Sequence, residues 1–200
     1  MFGNKKLQQY VTLLKEYNEL INIYSKKSYD ALEDHILDSK YLATLIDHNG
    51  THVDLGSGSG LPGVILAIFS SANIICVESK EKKRTFLNYV KEALDLNNLH
   101  VFDGDVQLFA KCYSGLKIES LSAKAFAKPP KLLNYLSLFH PHQVQKGASC
   151  WVPISNRQVE VLREFDEIVN IGDLKQFYYF KIQMGRFRSY KADLRMKYNL

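Results

Sequence analysis

Along the first fifty residues, apolar positions recur with the three-or-four spacing of amphipathic helices. Leu7, Tyr10, Val11, Leu14, Tyr17, Ile21 and Tyr24 form one stripe, which predicts a helix over 7–24. Leu32, Ile36, Leu42, Leu45 and Ile46 form a second. Asp30 with Glu33 three residues later has the pattern of a capping box at its start, and Asn49 and Gly50 stop it. From residue 51 the period changes. "THVDLG" leads into "LPGVILAIF", "NIICVES" into "KEKKRTFLNYVKEALDL", "LHVFDGD" and "LSAKAFA" into "PPKLLNYLSLF", and "ASCWVPI" into "SNRQVEVLREF". Short β-rich runs alternating with helical ones predict an α/β fold: a doubly wound, Rossmann-like parallel sheet covered by helices on both faces. "QFYYFKIQ" reads as one more strand, antiparallel after "DEIVNIGD". The expected division is a helical extension over 1–50, a Rossmann-like domain over 51–183 and a basic tail over 184–200.

Composition narrows the class. With 46% hydrophobic residues in 200, the chain can fill the core of one domain. No stretch approaches the roughly 18 uninterrupted apolar residues of a membrane span, and "MFGNKKLQQY" turns polar before a signal-peptide core can form, so a cytoplasmic protein without a membrane partner is expected. Cys76, Cys112 and Cys150 are widely separated and form no CxxC pair, which points to reduced thiols rather than disulfides or zinc. The formal charge of +5 permits a polyanionic partner without requiring one. With no heptad pattern or large apolar face, a monomer is expected.

The chemistry concentrates between the first strand and the helix after it. "VDLGSGSGLPG" places Gly56, Gly58 and Gly60 where the chain must turn sharply and a ligand must approach the backbone. The spacing is GxGxG, not the GxGxxG of dinucleotide sites. With Asp54 two residues ahead, it looks like the first motif of class I S-adenosylmethionine-dependent methyltransferases. Glu78 closes "NIICVE", 22 positions after Gly56. A carboxylate at the end of the second strand can accept two hydrogen bonds from a ribose cis-diol. Gly104 and Asp105, ending the third strand, are then expected beside an adenine.

Read as a whole, "DLGSGSGLPGVILAI" and "VESKEKKRTFLNYV", with "YNELINIY" and "HILDS" upstream and "SAKAFA" downstream, resemble the RsmG (GidB) family from about Tyr17 to about Tyr135. The resemblance implies methyl transfer from S-adenosyl-L-methionine to N7 of a guanine in small-subunit ribosomal RNA. It places cofactor contacts on Gly56 and Leu61, on Val106 and Gln107, and on Lys124 in "SAKAFA". The chain departs from the family at three points. Asp105, Val106 and Gln107 stand where relatives carry Arg-x-Glu. Ala123, Lys124 and Ala125 stand for Ser-Arg-Ala, which keeps the charge but loses the bidentate fork. Pro153 and Ile154 stand for Lys-Gly. Two other functions stay open at this point: a methyltransferase of the same fold acting on another acceptor, or an RNA-binding protein with a degenerate cofactor site.

Guanine N7 carries an in-plane lone pair and no proton, so its methylation needs alignment rather than a general base. No catalytic residue is therefore assigned, although Lys124 is expected between cofactor and substrate. Positive charge belongs on the RNA phosphates. Candidates are Lys83 and Arg84 in "SKEKKR" (with Lys80 and Lys82), Lys128 beside Lys131, and Arg186 and Arg188 in the tail "GRFRSYKADLRMKYNL", where basic and aromatic residues interleave. Phe126 is the nearest ring on which a splayed base could stack, against the plainer reading of a core aromatic. His140 and His142 in "FHPHQ" read as a polar loop rather than a metal site.

Overall fold

The computed structural model describes residues 3–154, 168–171 and 177–184. Two helices, α1 (Lys5–Leu20) and α2 (Leu32–Ala43), precede the sheet and are joined through a 3₁₀ turn at Lys26–Ala31. The sheet and its crossovers follow as β1 (Thr51–Leu55), α3 (Gly63–Phe69), β2 (Asn73–Glu78), α4 (Glu81–Ala93), β3 (Leu99–Asp103), α5 (Val106–Cys112), β4 (Ile118–Ser122), α6 (Pro129–Leu136) and β5 (Val144–Ile154), then β6 (Ile168–Ile171) and β7 (Phe177–Gln183). The strand order is β3-β2-β1-β4-β5-β7-β6. β3 to β5 pair in parallel across the sheet, while β7 runs antiparallel to both β5 and β6. This is the doubly wound sheet that the alternating pattern predicts.

Side-chain alternation along the strands builds two cores. On β2, Ile74 and Cys76 join α1 to α4 on one face, while Ile75 and Val77 join α5 and α6 on the other. Leu7, Tyr10 and Leu14 of α1 and Ile36 and Leu42 of α2 lie in the same core as Val64, Phe86 and Leu87. The leading helices therefore complete one face of the sheet. Fully burying a side chain of this size contributes roughly 1.5–3 kcal/mol.

Several local expectations are corrected. α1 ends at Leu20, not Tyr24, because the buried Asn18 side chain caps the chain beyond it: Oδ1 accepts from the amides of Ile23 at 2.8 Å and Tyr24 at 2.9 Å. Asp30 lies inside the 3₁₀ turn, and α2 starts after Ala31 with no side-chain cap, so no capping box forms. α2 also stops at Ala43, ahead of Asn49 and Gly50. α5 is an additional helix, started by Asp105, whose carboxylate accepts from the Leu108 amide at 2.8 Å. Within "DEIVNIGD", residues 168–171 form an additional strand. The helix expected in "SNRQVEVLREF" and the tail carrying Arg186 and Arg188 lie outside the described residues.

Candidate functional site

The sheet order reverses between β1 and β4, and the segments leaving those two strands flank the crevice at their carboxyl ends. On one side is the glycine loop. Gly56, Gly58 and Gly60 all have positive φ, at 71°, 60° and 97°. Crowding adds a second requirement at two of them. A methyl group at Gly60 would overlap Val64, and one at Gly56 would overlap the Phe126 ring, which comes from the β4 side of the crevice. Gly58 is less crowded: an added carbon would make ordinary contacts with Lys83 Nζ at 3.7 Å and the Gly56 carbonyl at 3.8 Å.

The loop is pinned from three directions. Gly56 and Ser57 donate their amides to the Val77 carbonyl at 2.8 and 3.2 Å. The Glu78 carboxylate accepts from the Gly58 amide at 2.9 Å through Oε2 and from the Lys80 amide at 2.9 Å through Oε1. From behind, the fully buried Tyr10 of α1 donates its hydroxyl to the Ser59 carbonyl at 2.9 Å. Burial raises the Tyr10 phenol far above its ordinary range, so it stays a donor.

Beneath the loop runs a buried polar chain. Asp54 Oδ2 accepts from the Gly63 amide at 3.1 Å, and Oδ1 accepts from the Ser122 hydroxyl at 2.7 Å. Ser122 spends its one proton there, so its oxygen accepts from His52 Nε2 at 2.9 Å, and His52 Nδ1 accepts from Ser120 at 2.7 Å. Burial pushes the His52 imidazole down to about 3 and the Asp54 carboxyl up to about 6, the latter opposed chiefly by the Ser122 hydrogen bond. Asp54 thus joins β1, β4 and the start of α3. It faces the interior, and Leu61, in the loop after β1, is likewise buried.

On the β4 side, Lys124 reaches toward α2. Its ammonium lies 2.8 Å from Asp38 Oδ2 and 3.4 Å from the His35 carbonyl. Tyr179 of β7 donates to the other Asp38 oxygen. Ala125 follows at φ 51°, a left-handed conformation that costs a non-glycine residue on the order of 1 kcal/mol, and it turns Phe126 back over the loop. The Phe126 ring also meets Tyr135 at 5.1 Å.

The remaining sequence candidates lie on separate elements. Arg84 is engaged within the protein: Nη2 lies 2.6 Å from Asp103, and Nη1 donates to the Glu78 and Ser79 carbonyls. Asp105 and Gln107 are exposed and Val106 is buried. Lys128 is exposed at the N-cap of α6. His140 and His142 stack with ring centroids 5.4 Å apart, at the far end of α6. Asp38, Tyr179, Tyr10 and Ser122 are not among the candidates expected from sequence, where Tyr10 counts only toward the first apolar stripe and Asp38 only within "HILDS". For Asp38 a signal exists: it is a carboxylate one turn before Leu42, on the buried face of an amphipathic helix, and such a charge needs a partner.

Comparison with known proteins gives the family and the fold. Residues 3–145 match the family described as GidB: rRNA small subunit methyltransferase G. A protein of that name from Paracoccus denitrificans is 32% identical over 78% of this chain and 79% of its own length. One from Fusobacterium nucleatum is 37% identical over 54% of this chain and 47% of its own length. Among solved structures, cofactor-bound Rv0187 from MTB superposes with a TM-score of 0.61 at 13% identity, covering 93% of this chain and 92% of that one, a likeness of fold alone. The fold is the class I, Rossmann-like methyltransferase fold, and the chain belongs to the GidB (rRNA small subunit methyltransferase G) family.

Proposed function

We propose that this protein transfers a methyl group from S-adenosyl-L-methionine to N7 of a guanine in small-subunit ribosomal RNA. The observation that carries the reading is the Gly58–Glu78 pair, at the crevice where the sheet reverses, in a chain of this family. Each Glu78 oxygen uses one lone pair on a backbone amide, which leaves acceptor capacity for ribose hydroxyls. The looser packing at Gly58, where no neighbour stands closer than ordinary contact, suits a ligand lying on the loop. Gly56, Gly58, Gly60 and Leu61 shape the cradle, Asp54 braces it from below, and Asp105, Val106 and Gln107 border the adenine. When bound, the cofactor supplies an electrophilic methyl group on a sulfonium.

The chain's own task is alignment. N7 has no proton to lose, so a fixed approach of base to methyl group suffices. The methylated purine is cationic, and a bare ammonium against it would oppose the reaction. Asp38 offsets the Lys124 charge at the crevice, so Lys124 can hold the turn before Phe126 without repelling the product. Lys83, Lys128, Arg186 and Arg188 are assigned to phosphates. The working unit is a cytoplasmic monomer acting on RNA or a ribosomal particle; no helix among the described residues is long and apolar enough to cross a membrane. Mass mapping of rRNA from cells lacking the protein tests the reading. One small-subunit guanine is expected to lose its N7 methyl group, and full methylation there would overturn it.

A further inference from the structure

The end of α1, the following 3₁₀ turn and the start of α4 enclose a groove of about 700 Å³, in which Lys26, Lys27, Lys80 and Lys83 face a single carboxylate, Glu19. Two of these lysines belong to the segment after β2, which lies against the glycine loop through Glu78 and Gly58. Lys80 follows Glu78 and is tied to its carboxylate through the backbone amide, and Lys83 stands over Gly58. The other two come from the leading helices, which otherwise serve as a cover for the sheet.

Their placement is built rather than accidental. Asn18 is buried and uses its whole amide on the turn. Oδ1 accepts from the Ile23 and Tyr24 amides, and Nδ2 donates to the Tyr24 carbonyl at 2.8 Å and the Tyr29 hydroxyl at 2.7 Å. This fixes the path of the chain just before Lys26 and Lys27. Lys26 is held 2.9 Å from Glu19, but both side chains are more than half exposed, at 59% and 65%. Such a pair is weak and exchanges readily for a stronger anion.

We infer that this groove is a phosphate-binding track for the RNA backbone, with Lys26 and Lys27 gripping phosphates that neighbour the nucleotide delivered to the glycine loop. The inference rests on the proposed rRNA substrate. It gives the leading helices a direct part in RNA binding. Four cations lining one groove that opens beside the cofactor loop suit a polyanion whose charges repeat along its length.

The test measures binding of the full-length protein to small-subunit rRNA as a function of salt. Two lost phosphate contacts should lower the slope of log K against log salt by about 1.5, and weaken binding roughly tenfold near physiological salt. Lys26→Ala/Lys27→Ala is expected to show both effects with S-adenosylmethionine affinity unchanged. Glu19→Gln, which frees Lys26, is expected to tighten binding two- to fourfold. An unchanged slope in the double variant, with wild-type protein binding normally, overturns the track and leaves the methyl-transfer reading standing. Loss of binding to an acidic protein surface but not to rRNA overturns it equally. Failure of the wild-type protein to bind rRNA overturns both.

Discussion

Lys124 and Asp38 are 86 positions apart in sequence, yet the ammonium lies 2.8 Å from the carboxylate and joins the loop after β4 to α2. The side chains are only 16% and 8% exposed. Removing one partner strands a charge in a poorly solvated place, which typically costs about 3–5 kcal/mol. Asp38→Ala is therefore expected to lose about 3 kcal/mol in urea unfolding. Tyr179→Phe, which removes one hydrogen bond to the same carboxylate, should lose about 1–2 kcal/mol. A loss under 1 kcal/mol for Asp38→Ala contradicts the assignment.

Glu78→Gln tests the cofactor cradle. The carboxylate accepts backbone amides on both oxygens, and a glutamine would turn an NH₂ group toward one of them. Charge-assisted hydrogen bonds of this kind contribute about 1.5–3 kcal/mol. Calorimetry is expected to show S-adenosylmethionine affinity falling at least tenfold, with the far-ultraviolet circular dichroism retained. Unaltered affinity would remove Glu78 from the site.

Tyr10→Phe addresses the loop from behind. The variant keeps the ring in the core but leaves the buried Ser59 carbonyl without its donor at 2.9 Å. About 1–2 kcal/mol of stability should be lost. Amide exchange should speed up at residues 58–61 more than in β1. Equal acceleration throughout would mean that Tyr10 acts only as packing.

The pH dependence of stability follows from the buried pair His52 and Asp54. His52 falls to about 3 in the folded protein, so its contribution is present above its ordinary 6.5 and is lost as pH falls toward 3. Asp54 rises from 3.8 to about 6, so its contribution is complete below 3.8 and is lost as pH rises through 6. Between about 4 and 6 the two proton uptakes have opposite signs and nearly cancel. Asp54→Asn removes one of them. That variant should lose stability on acidification across this window with an additional slope near 1.4 kcal/mol per pH unit relative to the wild type. Parallel curves for the two proteins would contradict the assignment.

The parts of the site that sequence made legible are local ones. Gly56, Gly58 and Gly60 declare a turn within five residues, and Glu78 ends a strand at a fixed distance from it. Asp38, Lys124 and Tyr179 meet only because α2 lies across the ends of β4 and β7, and no periodicity carries that information across 141 residues. The helix stripe ran on to Tyr24 because apolar spacing continued through the turn; the competing signal was one polar residue, Asn18, folding back on the backbone. Helix α5 escaped because seven residues give too little periodicity, although Asp105 at its cap was in view. Sequence equally cannot show that Arg84 pairs with Asp103, because the two come from different elements.

Methyl transfer with purified components tests the proposed reaction. The protein is incubated with S-adenosylmethionine and small ribosomal subunits from cells that lack it, and the modified nucleotide is mapped by mass spectrometry. N7-methylguanine is expected at one position, lost with Glu78→Gln. Methylation of another base, or none on intact subunits and naked rRNA alike, would contradict it.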